Sequence, residues 1–170
     1  MKRYLLITLL LVAILTLGAA PNQVTIKLTT SVPEVLVHGF LKDGDTTTIY
    51  AEEDKDNAFD PDGVEFTYAV KTNTSIRMTV YATVTPFYRQ DPENPAEVNI
   101  AQVRVKDEGG DESTVENTGD EYELVTFTPN KGGMAVYAYT LTVIANADEV
   151  ANAPAGDYKS TVSIGITTGN

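Results

Sequence analysis

The chain contains no cysteine, no tryptophan and a single histidine, His38, and each scarcity removes a class of chemistry. Without a thiol there is no disulfide framework, no thiolate nucleophile and no mixed Cys/His zinc site. Basic residues are also few: 12 Lys and Arg stand against 24 Asp and Glu, a formal net charge of −12. That balance speaks against nucleic acid as a partner, because phosphate binding needs clustered cations that release counterions. Catalytic motifs are missing as well. No Gly-x-Ser-x-Gly elbow occurs, and His38 would be the only imidazole base. Two acids could still face each other as in a glycosidase, but without tryptophan no sugar-cleft signature accompanies them. The expectation is a protein that is not an enzyme and carries no cofactor.

What is present begins with a leader. Lys2 and Arg3 precede an apolar run over residues 4–17, interrupted by Thr8 and Thr16, and then Gly18-Ala19-Ala20. Basic, apolar and small-residue regions in that order form a signal peptide, here residues 1–20, and the run is shorter than the roughly 20 residues of a bilayer-spanning helix. Cleavage after Ala20 places Pro21 behind the scissile bond, whereas cleavage after Ala19 leaves Leu17 at the upstream small-residue position. Removing 20 of 170 residues leaves 150, the size of one domain. With Lys2 and Arg3 gone, 10 basic residues face 24 acidic ones and the net charge becomes −14. The mature chain is expected to be exported and not inserted in a membrane.

Beyond residue 22 the dominant period is two, with β-branched and aromatic residues between clusters of Gly, Pro, Asn and Asp. Strands are predicted over residues 23–30, around Val35, Val37 and Gly39, and over 46–50. Further strands follow over 64–70, 76–84, 98–105 and 122–127, then around Tyr137, Tyr139, Leu141 and Val143, and lastly from Tyr158 through Val162, Ile164 and Ile166. The strands 64–70 and 76–84 read as neighbours joined through Lys71-Thr72-Asn73-Thr74. The stretch 107–120 reads as an acidic, Gly-rich loop, and no helix of useful length is predicted. Eight or nine short strands with no helices predict an all-β, antiparallel β-sandwich.

The ends of the mature chain carry the functional expectation. Val24, Ile26 and Leu28 alternate with Thr25, Lys27 and Thr29 directly behind the processing site, and this segment has no evident pairing partner. A sandwich lacking its last strand would leave an apolar groove beside an unpaired edge, which attracts a strand from another molecule. Val24, Ile26 and Leu28 have the form of such a donor strand. Val35, Val37, Val162, Ile164 and Ile166 are the expected lining of the acceptor groove.

Three stretches together resemble the major subunits of chaperone-usher fimbriae, specifically the cysteine-free alternate-chaperone clade of colonisation-factor-antigen type. They are Val24-Thr-Ile-Lys-Leu-Thr-Thr-Ser-Val-Pro33, then Val70-Lys-Thr-Asn73 with Ile76-Arg-Met-Thr-Val80 and Thr85-Pro86, and Ala153-Pro-Ala-Gly-Asp-Tyr158-Lys-Ser-Thr-Val-Ser-Ile164. The resemblance implies an incomplete immunoglobulin-like fold over residues 33–170, with residues 21–32 as a donor-strand extension. It also implies a periplasmic chaperone, an outer-membrane usher, head-to-tail polymers of identical subunits and a tip adhesin as partners. The acidic inserts 52–62 and 107–120 have no counterpart in that family.

Other residues invite sharper readings. Asp54, Asp56, Asp60 and Asp62 are the carboxylates a calcium ion would use. If Asp60, Asp62 and Gly63 are set at positions three, five and six of an EF-hand loop, however, Ala58 and Ala69 fall where the first ligand and the bidentate Glu belong. A solvated acidic loop without metal is the expectation. His38 reads as a surface or partly packed residue of a strand, and Tyr68, Tyr81, Tyr137 and Tyr139 as packing rather than a sugar platform. The alternatives to a fibre subunit are a binding module, meaning a tip adhesin or a self-complete secreted β-sandwich that recognises glycan, matrix or cation, and a biofilm-matrix fibre protein of another family.

Overall fold

The computed structural model describes residues 27–42, 44–119, 121–130 and 133–169. All of the predicted leader, residues 1–20, and the donor positions Val24 and Ile26 lie outside them. By its contacts the chain divides after Val32 into Met1–Val32 and Pro33–Asn170. In the first unit the described residues 27–32 form no strand, and the apolar side chains of Leu28 and Val32 are 92% and 80% exposed.

The second unit is nearly all β. Its strands are β1 (Leu36–Leu41), β2 (Val64–Thr72), β3 (Met78–Val84), β4 (Phe87–Arg89), β5 (Glu97–Val98) and β6 (Ile100–Lys106). They continue with β7 (Glu112–Val115), β8 (Tyr122–Phe127), β9 (Ala135–Ala145), β10 (Tyr158–Lys159) and β11 (Val162–Thr168). A five-stranded sheet has the order β1-β2-β9-β6-β7, a three-stranded sheet the order β11-β3-β8, and a small sheet the order β10-β4-β5. Every pairing is antiparallel. The two larger sheets share one core: Phe66, Tyr68 and Val70 of β2 and Tyr139, Leu141 and Val143 of β9 meet Met78, Val80 and Ala82 of β3 and Leu124 of β8. Alternate residues along each strand supply that layer, as a period of two requires. Each fully buried aliphatic side chain contributes roughly 1.5–3 kcal/mol relative to exposure. A smaller cluster of Phe87, Val98 and Ala145, with Phe59 and Tyr158 packed on it, anchors the small sheet.

Three local expectations are corrected. Strands β2 and β3 are not hydrogen-bonded neighbours but belong to opposite sheets. The Thr72 hydroxyl accepts from the Thr74 amide and the Thr74 hydroxyl from the Ile76 amide, so two successive side-chain turns carry the chain across the inter-sheet gap where a hairpin was expected. The 46–50 run makes no strand, only an antiparallel bridge from Tyr50 to Phe40. The 107–120 stretch is not all loop: Asp107 accepts the Asp111 amide, Gly110 takes φ 87°, and the reversal lets β7 pair with β6. An Arg104–Glu112 ion pair at 3.2 Å reinforces that hairpin. Finally, Ala147–Asn152 forms a six-residue helix, α1, whose N-cap Asn146 accepts from the amides of Asp148 and Glu149.

Candidate strand-binding groove

Strand β1 is the edge of the five-stranded sheet and β11 the edge of the three-stranded one. Because β8, at the far end of its sheet, lies against β6 and β7, β11 lies on the β1 side of the sandwich. The backbone of both edges can be read from its partners. Asn73 donates to the Val35 carbonyl on the β2 side, whereas the Phe40 amide donates to Tyr50 O at 2.8 Å and Phe40 O accepts from the Tyr50 amide at 2.9 Å on the opposite side. Alternation then points the N–H and C=O of Leu36 and His38 outward with those of Phe40. On β11 the flanking Thr161 carbonyl accepts from Thr85 and the Gly169 amide donates to the Arg77 carbonyl, both towards β3. The backbone groups of Val162, Ile164 and Ile166 therefore point away from it. Among the described residues no strand pairs with β11 on that side, nor with β1 at Leu36 and His38.

Side chains line the gap between these edges. Val162, Ile164 and Ile166 stand opposite Val84, Ala82 and Val80 and face the core, yet each is only half-buried. On β1, Leu36, His38 and Phe40 stand opposite Thr72, Val70 and Tyr68 and share their inner face, with Leu36 still 38% exposed. Val37 pairs with Lys71, so it and Val35 occupy the alternate, outer face, and Val37 is exposed. Val162 and Phe40 line one cavity, and Phe40, Val162, Ile164 and Ile166 pack on the core, while Leu36 continues the inner row of β1 and Val35 and Val37 lie on its other side. Sequence reading missed Leu36 and Phe40 because Val35, Leu36 and Val37 are consecutive apolar residues, and nothing in the run itself tells which parity faces inward. Of the residues in phase with Leu36, the bulky Phe40 argues for the inner face and the polar His38 for the outer one, so the two signals cancel.

At the Phe40 and Val162 end the gap widens into a cavity of about 500 Å³, walled by Phe66 and Val143 and by the chain segment 51–55. We call residues 49–55 the strap. It lies on β1 through the Tyr50–Phe40 bridge, and it can do so because residue 39 is glycine. A Cβ there would collide with the Tyr50 carbonyl and stand 2.8 Å from Ile49, and φ at Gly39 is 156°. Ahead of the strap, the Asp45 carboxylate accepts from the amides of Thr47 and Thr48, which hold its pKa down to about 2. Within the strap Glu53 Oε1 pairs with Lys55 at 3.2 Å, while Glu53 Oε2 is buried without a hydrogen-bond partner.

The tyrosines and the lone histidine are packing elements. Tyr68 is 1% exposed and its hydroxyl shares a 2.8 Å hydrogen bond with His38 Nδ1, and burial raises its pKa well above the usual tyrosine value. Burial, with Glu108 nearby, pushes Tyr139 up to about 12. Tyr137 and Tyr139 both pack against Phe127, whereas Tyr81 is paired with Gly165 on the opposite face of β3. The four carboxylates Asp54, Asp56, Asp60 and Asp62 do not converge: among the described residues no group of three or more acidic or imidazole side chains could hold a metal ion. Asp60 instead closes a turn by accepting the Asp62 amide.

No protein-family profile matches the chain, and no curated protein matches it significantly. What the site can do therefore rests on its geometry: outward backbone donors and acceptors of β1 and β11 border a slot lined by apolar side chains and, at one end, by the strap. Such a slot accepts an extended segment by backbone hydrogen bonding and receives its alternate side chains inside.

Proposed function

We propose that the protein is the structural subunit of an extracellular fibre, a pilin that polymerises when the N-terminal segment of one copy enters the groove of the next. The observation that carries this reading is that, among the described residues, no strand covers β11 or β1 at Leu36 and His38, on one side of the sandwich, and that Val162, Ile164 and Ile166 of β11 stay half-buried. An amphipathic segment upstream, with Leu28 exposed, matches the groove in chemistry. Burying Val24, Ile26 and Leu28 at about 1.5–3 kcal/mol each, with backbone bonds of about 0.5–1.5 kcal/mol, makes each junction favourable before its ordering cost is subtracted. A head-to-tail contact of this kind does not close on itself and so builds a filament.

In this reading the chain is exported by its leader, the fold is an incomplete immunoglobulin-like domain, and a periplasmic chaperone strand occupies the groove until an outer-membrane usher delivers the subunit to the fibre. The resemblance to the alternate-chaperone fimbrial subunits supports that route, and adhesion or biofilm support is the role it suggests. The test is to express the full chain with its leader beside a chaperone-usher pair and to score filaments by negative-stain microscopy. Ile26→Asp should abolish filaments while leaving export unchanged. Wild-type amounts of filament from that variant would refute strand exchange and favour a self-complete secreted binding module.

A further inference from the structure

In the unit that begins at Pro33, the exposed large apolar side chains gather at one end. Leu36, Val37, Ile76 and Met134 stand there, and among the described residues of that unit Tyr88 of β4 is the remaining one. The register defines the end: Leu36 lies opposite Thr72 and Thr72 opposite Ala135, so β1 and β9 begin where β2 stops. From Thr72 the two side-chain turns lead past Ile76 to the start of β3, where Met78 stands opposite Thr168 of β11. Leu36 belongs to the inner row of β1, which leaves Val37, Ile76 and Met134 without a role in the groove. Over residues 33–37, 72–77, 134–136 and 167–169 the charged side chains are Glu34 and Arg77, a neutral end on a chain of net charge −12. Two acidic copies approach each other with least repulsion through such a face.

The chain enters the unit at this same end. Asn73, directly after β2, holds it there: its Oδ1 accepts from the Val35 amide at 2.7 Å, its Nδ2 donates to the Pro33 carbonyl at 2.9 Å, and its own amide donates to the Val35 carbonyl. Met134 precedes Ala135 on the next strand and so lies on the other flank of Asn73. Two strand spacings, about 10 Å, separate it from Val35. Residues 29–32 are all that stand between Leu28 and Pro33, a reach of about 17 Å when fully extended. A copy that takes Leu28 into its groove is therefore tied within that distance of Pro33, beside the end that carries Ile76 and Met134. We infer that this end is the seating surface of the fibre, where Val37, Ile76 and Met134 pack on the second copy of this chain that receives the segment. The inference rests on the strand-exchange reading and adds a rigid contact to it. A strand alone joins copies as beads on a string, whereas an apolar seat fixes the angle between them and slows their separation.

The test pairs a donor with an acceptor. The donor carries a second 22–30 segment fused at its C-terminus to fill its own groove, and the acceptor carries Ile26→Asp and cannot donate. Both are exported as full chains, and the leader takes Met1 with it. Met78 is fully buried, so peroxide reads Met134, 50% exposed, as the one accessible methionine. In the one-to-one complex, with one copy isotope-labelled, mass spectrometry should find Met134 protected from oxidation in the donor. In the acceptor it should stay as reactive as in either free chain. Met134→Asp in the donor should weaken the complex about tenfold, and in the acceptor by less than about twofold. Should that variant fail to fold, the oxidation pattern of the unaltered pair decides. Equal oxidation of Met134 in the two copies, or a donor substitution without effect, overturns the seating surface and leaves strand exchange standing. So does the absence of a complex when the free 22–30 peptide still binds the acceptor. Failure of that peptide as well overturns strand exchange and the seating surface together.

Discussion

The two sides of the sandwich are built differently. On the β7–β8 side the sheets are stitched by the chain itself: Asn117 bridges Tyr122, the Thr118 amide donates to the Glu121 carbonyl, and β8 begins at once. Leu124 and Val105 are buried there, and the remaining recess is about 200 Å³. On the β1–β11 side, among the described residues, no such turn joins the edges, and only the strap bridges β1 at Phe40. The inner residues Val162, Ile164 and Ile166 stay half-buried, Leu36 is exposed, and the cavity is about 500 Å³. A short covalent connection closes a sandwich without a further strand, whereas an open pair of edges leaves apolar area and backbone groups for another segment to cover.

The comparison can be broken by truncating matched side chains on the two kinds of site. Leu141→Ala removes a side chain that is 1% exposed in the centre of the core, and thermal unfolding should report a loss of about 2–5 kcal/mol. Ile166→Ala on the open side should cost the isolated chain less than half of that, because water already reaches the site. When the groove is filled by a C-terminally fused 22–30 segment, the cost of Ile166→Ala should rise towards the core value. Equal costs at the two positions in the unfused chain would mean that the β1–β11 side is already closed.

Gly39→Ala sharpens the role of the strap. Its Cβ meets the Tyr50 carbonyl and its backbone sits where L-residues are strained, so a loss of about 1–3 kcal/mol is expected with faster hydrogen exchange at the Tyr50 amide. Protection at Tyr50 unchanged by the substitution would show that the strap does not depend on that close approach. The smallest effect concerns acid. Asp45 is held low by two backbone amides, so its contribution is present above the ordinary carboxylate pKa of about 4 and is lost as pH falls through about 2. Over that interval exchange at the Thr47 and Thr48 amides should rise, and Asp45→Asn should reduce the pH dependence.

How much of this was legible beforehand varies with the residues. In β3 and β11, over residues 64–68 of β2 and over residues 139–143 of β9, apolar positions alternate with polar or small ones, as in Met78-Thr79-Val80-Tyr81-Ala82, and the inward face follows from the pattern. In β1 three apolar residues run together, so parity is decided by the register with β2 and not by composition. Strand β7 was hidden because Glu112-Ser113-Thr114-Val115 carries one apolar residue, and its pairing comes from the Asp107 turn and Arg104. The helix α1 had a local signal, Asn146 with Glu149 three residues on, but six residues are too few to display a helical period. Nothing local marked the strap: Tyr50 reaches Phe40 only because Gly39 leaves room, a tertiary fact. The donor positions Val24 and Ile26 rest on sequence alone.

The most direct test of strand exchange compares the chain from residue 21 to 170 with one lacking residues 21–30, each with and without the 22–30 segment fused at the C-terminus through a short linker. Size-exclusion chromatography and negative-stain microscopy read the outcome. Strand exchange predicts filaments or unstable aggregates from the unfused intact chain and a stable monomer from the trimmed, fused one. A stable monomer from the unfused intact chain, unchanged by fusion, would contradict it.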